Sequence, residues 1–299
     1  MINVYERQDQ NKRRSLAVLL SFVFFIGLVS WFLAKIFGYG WPGVVLALIL
    51  ALVTSFASYW WGDKLILSLS QAKPASRNKD FNFYTVSENL AMASRIPLPK
   101  LYVIEDSAPN AFATGRDPEH AVICVTRGLL LKLNRSQLEG VIAHEISHIS
   151  NYDTRLMCLV TILVGTVVLL GDWFFRGTYL GSGRKESRQG NAQTILFIIG
   201  IFLILLSPII AQLIQLAISR RREFLADSSA ALLTRFPEGL AQALEIISKD
   251  TEPLEIANKA TAHLFIANPL KGKNLHWLEG LFNTHPPIEE RIKVLRQMV

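Results

Sequence analysis

The chain has 299 residues, of which 51% are hydrophobic and only 18% charged, with a formal net charge of +7. Soluble domains carry about 25% charged residues, so this shortfall points to a membrane protein and away from a freely soluble one. The basic excess flanks apolar runs, which suits an anionic bilayer surface and gives no reason to expect a nucleic-acid partner.

In chain order, Ser15 to Ala34 is uncharged and follows Lys12-Arg13-Arg14, and Ile36 to Gly62 is uncharged again. A span needs about 20 apolar residues, so both runs qualify. Trp41, Trp60 and Trp61 sit near the ends of the second run, where interfacial aromatics belong. Gly38-Tyr39-Gly40-Trp41-Pro42 reads as a tight turn, which makes residues 1–71 an N-terminal transmembrane hairpin. The first run is too long for a signal-peptide core and a second span follows directly, so it is read as retained.

Residues 72–155 read as the first part of a catalytic domain. A helix is expected from Thr85, opened by a Thr85-x-x-Glu88 capping box. PKLYVIED and HAVICVT read as strands, and Asn134 to Ser150 as a helix with a second box in Ser136-x-x-Glu139. Residues 156–218 hold a second apolar hairpin, with runs from Leu156 to Gly171 and from Gln189 to Ser219 around a polar, Gly-rich loop. Residues 219–299, helical and broken by prolines, form the second part of the catalytic domain. The basic clusters place Lys12-Arg13-Arg14, Lys79 and Arg220-Arg221-Arg222 on the cytoplasmic side, whereas Arg184, Lys185 and Arg188 in the polar loop disagree. Two cysteines, Cys124 and Cys158, cannot build a disulfide framework and are expected reduced and buried.

The chemistry centres on VIAHEISHIS at residues 141–150. On a helix, His144 and His148 share a face and can aim both imidazoles at one ion. Glu145, turned by about 100° from His144, can reach a water there without itself binding the ion. A catalytic zinc needs a third protein ligand and an open position. Asp153, just past the helix, and Glu223, in RRREFLADSSA, are both candidates. Asp227 follows Glu223 by one turn, where it can hydrogen-bond the far nitrogen of a ligand histidine.

HEISH, REFLAD, THPPIEER, NAFATGR at Asn110 to Arg116, the IANPL stretch and the order of the four apolar runs together resemble the HtpX-type heat-shock membrane metallopeptidases, which belong with the CaaX prenyl protease-like gluzincins. The resemblance covers essentially the whole chain. It implies a gluzincin-like zinc metallopeptidase domain, mainly α with a small β-sheet, interrupted by and fused to transmembrane helices. It implies one Zn²⁺ per chain on His144, His148 and Glu223, with Glu145 as general base and acid and Asp227 bonding a ligand histidine. It places His285, in a rigid Pro-Pro turn, at the cleft as a donor to the developing oxyanion. It also makes Asn110, Ala111 and Phe112 part of an edge strand that pairs with substrate. Asp153 is then a structural carboxylate, and His120, His263 and His276 are surface or packing residues.

His148 and Glu223 must meet at one ion, so the chain between them crosses the bilayer zero or two times. The expected function is a zinc endopeptidase of the stress response, cleaving damaged or misfolded membrane proteins or peptides. It would be an integral, multi-pass protein of the bacterial inner membrane with its site facing the cytoplasm. The alternatives are a prenyl-protein protease of the same superfamily and a catalytically inactive scaffold.

Overall fold

The structure, a computed structural model, describes residues 4–37, 40–163, 220–256, 261–269 and 286–298. The first two helices, α1 (Val4–Phe37) and α2 (Gly40–Leu69), have 34 and 30 residues. At about 1.5 Å per residue both exceed the hydrocarbon thickness of a bilayer, ~30 Å. Val44–Leu69 is long and apolar enough to cross a membrane by length and composition. On α1, Leu16, Leu20, Phe24 and Leu28 recur every fourth residue, and each is more than half exposed. Such a stripe is unfavourable in water and well solvated by lipid. Val18 and Phe22 point the other way, packing with Ala51 of α2 and with Leu156, Val160 and Leu163 of α6 (residues 153–163). Trp41 and Pro42 lie in the first turn of α2 and not in a loop, because proline fits a first turn whose N–H groups lack helical partners. Residues 38 and 39 of the expected turn lie outside the described residues.

The sheet comprises β1 (Lys73–Pro74), β2 (Lys100–Ile104), β3 (Ala111–Thr114) and β4 (Val122–Thr126), in the order β1-β2-β4-β3. β2 and β4 run parallel, with Leu101 opposite Ile123, and the other two pairs are antiparallel. β4 is apolar on both faces because both are covered. Ile123 and Val125 join the main core, whereas Val122 and Cys124 face a second cluster with Phe112, Met157, Cys158 and Phe265. Both cysteines are free and buried, as expected.

The main core lies between the sheet and α3 (Phe81–Ala93), α5 (Arg135–Ser150), α7 (Arg220–Thr234), α8 (Pro237–Lys249) and α9 (Ile288–Arg296), with the short α4 (Arg127–Lys132) following β4. Residues on both sides of the stretch 164–219, where a second apolar hairpin was expected and which lies outside the described residues, therefore share one core. The fold is mainly α with a small sheet, as the motifs implied. α5 is its axis, buried from Leu138 to Ile149 apart from Glu139. α8 crosses it closely at Gly140, where a Cβ would sit 2.6 Å from Leu240 N and 2.7 Å from its Cα.

Neither expected capping box forms as read: the one at α3 is absent and the one at α5 moves. α3 starts at Phe81, so Thr85 lies inside it and donates its hydroxyl back to Phe81 O at 3.0 Å. At α5 the reciprocal pair is Asn134 and Gln137: Asn134 Oδ1 accepts the Gln137 N–H at 3.0 Å and Gln137 Oε1 accepts the Asn134 N–H at 2.9 Å. Asparagine caps a helix at least as well as serine, and Ser136 instead donates to Asn134 Oδ1.

Candidate active site

α5 and α7 bring the predicted ligands together. His144 Nε2 lies 3.2 Å from His148 Nε2. Glu223 reaches across from the start of α7, its Oε2 3.6 Å from His144 Nε2 and its Oε1 3.5 Å from His148 Nε2. All three residues are buried. Tetrahedral bonds of about 2.0–2.1 Å would hold ligand atoms roughly 3.3 Å apart, so this donor set fits zinc.

Each histidine is fixed from behind. Asp227 Oδ1 lies 2.9 Å from His144 Nδ1, and Asp153 Oδ2 lies 3.1 Å from His148 Nδ1. With both Nδ1 atoms occupied by carboxylates, both Nε2 atoms are left to face the shared point. Asp153 is thus outside the ligand set, as expected, but it does for His148 what Asp227 does for His144. Asp227 is held by Arg291 of α9 in a two-pronged pair, Nε to Oδ2 at 2.8 Å and Nη2 to Oδ1 at 2.7 Å. Arg291 is fully buried. It is the last residue of the THPPIEER motif, from which no role for it is read.

The charges around the site call for a cation. Glu145, Asp153, Glu223 and Asp227 are buried carboxylates, against buried Arg291 and the nearly buried Arg222. Acidic groups therefore outnumber the arginines around the two histidines, a balance that suits a divalent ion bound by neutral imidazoles. Burial and the charge of Arg291 push His144 down, but the carboxylates of Asp227 and Glu223 outweigh them and raise it to about 9. Burial pushes Asp227 up, yet Arg291 and His144 hold it down at about 2.

A cavity of about 10 Å³ abuts the three ligands' meeting point, lined by Ala113, His144, Glu145, His148, Met157, Leu264 and Ile266. That is room for about one water. Glu145 lines it, as its predicted role requires. The expected edge strand is present as β3, at one end of the sheet order. Ala113 reaches the cavity, whereas Phe112 packs edge-on against Phe265 at 5.1 Å on the other face of the sheet. Ala111 O accepts the Ile266 N–H at 2.9 Å, and Asn110 Nδ2 donates to Ala267 O at 3.0 Å. The chain around Ile266 therefore meets this edge at Ala111 and Asn110. His285 and His276 lie outside the described residues. His120 is a partly exposed histidine, its Nδ1 2.6 Å from Asp117.

The family model for Peptidase family M48 matches residues 78–299. Several curated relatives carry the name Protease HtpX homolog. The one from Dictyoglomus turgidum is 43% identical over 294 residues, covering 98% of this chain and 94% of that protein. The one from Thermoanaerobacter pseudethanolicus is 42% identical, covering 99% and 98%. The one from Ligilactobacillus salivarius is 39% identical, covering 99% and 100%. The crystal structure of S. mikatae Ste24p aligns with a TM-score of 0.48 at 18% identity, over 96% of this chain and 65% of that one. A two-histidine, one-glutamate metal site joined to apolar helices, in a sequence aligned nearly end to end with these proteases, leaves one assignment: the chain belongs to peptidase family M48 and is a membrane metalloprotease.

Proposed function

We propose that the ion is zinc, one per chain on His144, His148 and Glu223, and that the enzyme cuts damaged or misfolded membrane proteins at the cytoplasmic face of a bacterial inner membrane. The observation that carries this reading is the buried cluster of two imidazole nitrogens and one carboxylate beside Glu145. A zinc ion held there by His144, His148 and Glu223 would supply Lewis acidity for hydrolysis of a peptide bond. Glu145 accepts the proton of the attacking water and returns it to the leaving amine. Asp227 and Asp153 keep each histidine in the tautomer that leaves Nε2 for the ion. His285 is the proposed donor to the oxyanion, and the partners are the bilayer and protein or peptide substrates.

The substrate class follows from position. α5 ends two residues before α6, which enters the second apolar hairpin, and α7 begins where that hairpin ends. Segments presented from the bilayer are therefore the nearest substrates. The inactive-scaffold reading is weaker because Glu145 and every proposed ligand are present. Glu145→Gln is expected to keep one zinc per chain while cleavage of a membrane-protein substrate falls at least ~10²-fold. Near-normal turnover in that zinc-loaded variant would remove the mechanism, and a wild-type protein that holds no zinc would remove the metal assignment.

A further inference from the structure

The polar start of α1 belongs to the catalytic domain. Ahead of its apolar run the helix lies along the turn that joins α5 to α6. Gln8 Nε2 donates to Ser150 O at 2.9 Å, and Asn11 Nδ2 donates to Asn151 O at 2.8 Å. Lys12 Nζ stands 4.6 Å from the centre of the Tyr152 ring, which Arg155 approaches at 4.9 Å. Tyr152 itself is left-handed, with φ 59, a conformation that costs a side-chain-bearing residue about 1 kcal/mol or more and persists only when its surroundings impose it. That reversal sends Asp153 back under α5.

Asp153 then has two oxygens with two tasks. Oδ2 meets His148 Nδ1 at 3.1 Å, and Oδ1 accepts from Asn11 Nδ2 at 2.8 Å, with Arg222 Nη1 farther off at 3.5 Å. Asn11 and Asp153 are both buried, 5% and 3% exposed, so no bulk water can replace the amide. A carboxylate pinned at one oxygen is aimed at the other. We infer that Asn11 of the first membrane helix is a positioning residue for the metal site, holding Asp153 so that His148 presents Nε2 to the ion. The first hairpin is then a working part of the active site and not an anchor alone. This rests on the zinc reading above.

The test uses full-length protein in detergent micelles, with zinc affinity measured by chelator competition and the visible spectrum of the Co²⁺-substituted form as a second readout. Asn11→Leu removes the donor at similar size and is expected to weaken zinc affinity about tenfold and shift the cobalt bands, the low end of the 10–100-fold seen when a ligand's hydrogen-bond partner is lost. Asn11→Gln keeps an amide and is expected to recover part of the affinity. In an Asp153→Ala background, Asn11→Leu is expected to have no further effect, because the two act through one path. Equal losses in both backgrounds, or wild-type affinity and spectrum in Asn11→Leu, would overturn the inference. Should Asn11→Leu not fold, Asn11→Gln and Asp153→Ala with their double variant carry the same comparison. Wild-type protein that takes up no zinc would instead sink the metal reading on which the inference depends.

Discussion

At the scale of single residues, the site separates groups that touch the ion from groups that aim those groups. In the proposed site Glu223 offers an oxygen to the ion, whereas Asp153 meets His148 only at its far nitrogen. Glu223→Ala is therefore expected to cost more zinc affinity than Asp153→Ala in the same chelator titration, and the reverse order would make Asp153 the ligand. His144 gives a second expectation. In the metal-free protein its folded-state value of about 9 lies above the ordinary 6.5, so its protonated form adds stability that is full below pH 6.5 and lost as pH rises through 9. Zinc needs the neutral ring, so uptake at pH 7.5 must expel that proton. Calorimetry in buffers of different ionisation enthalpy is expected to report about one proton released per zinc, and none released would mean His144 is already neutral. His144 and His148 were legible in the sequence because i, i+4 spacing on a helix is a local rule, and Glu223 was legible only through the family motif REFLAD. Asn11, Arg291 and the bond from Asp153 to His148 were not, because each depends on a partner brought up by the fold. Asn11 and Arg291 lie 142 and 64 positions from the carboxylates they hold.

At the scale of elements, hydrophobic pattern sufficed to place α1, α2, β2, β4 and α5, and it failed where side-chain chemistry set an end. Asparagine took the cap from serine at α5, and the polar opening of α1 continued the helix instead of preceding it. The tight crossing at Gly140 is a further consequence of packing. Gly140→Ala is expected to destabilise the protein by about 1–3 kcal/mol, since its methyl would press on Leu240 backbone that cannot move without shifting α8. An unchanged melting temperature would mean that the two helices can separate freely. Ile266 and Ala267 were expected only as the start of the IANPL family signature, yet Ile266 bonds to β3 and lines the cavity, with its carbonyl oxygen also near Arg291 Nη1 at 3.4 Å. Leu264 lines that cavity too, beside Glu145. Leu264→Ala removes buried contacts worth about 2–5 kcal/mol. It is expected to lower the melting temperature with zinc content unchanged, and loss of zinc along with stability would mean that the segment also holds the metal ligands in place.

At the scale of the whole molecule, one cluster ties three separate approaches of the chain to the bilayer. Asn11 near the start of the first hairpin, Asp153 at the start of the second and Arg222 just after it converge, Asp153 Oδ1 lying 2.8 Å from Asn11 Nδ2 and 3.5 Å from Arg222 Nη1. Atoms that close share one side of a membrane. In the proposed topology the first two helices both cross and return the chain to the side it left, and the stretch from 164 to 219, which lies outside the described residues, starts and ends on that same side. The Lys12-Arg13-Arg14 cluster supports the proposal that this side is the cytoplasm. Single cysteines at Arg13, Lys79 and Arg220, all exposed positions, are expected to resist an impermeant thiol reagent in intact cells and to react once the membrane is opened. Native Cys124 and Cys158 are buried and should add little background. A cysteine at Ser182 settles the remaining crossing. Labelling from outside means that the second apolar hairpin spans despite its basic loop, and protection means that it rests at the cytoplasmic face, which the short run from Leu156 to Gly171 permits. Either result keeps the even number of crossings that the shared site demands. Labelling of Arg13 and Arg220 from opposite sides would separate Asn11 from Arg222 by a bilayer and break the cluster on which both the metal site and its positioning by α1 depend.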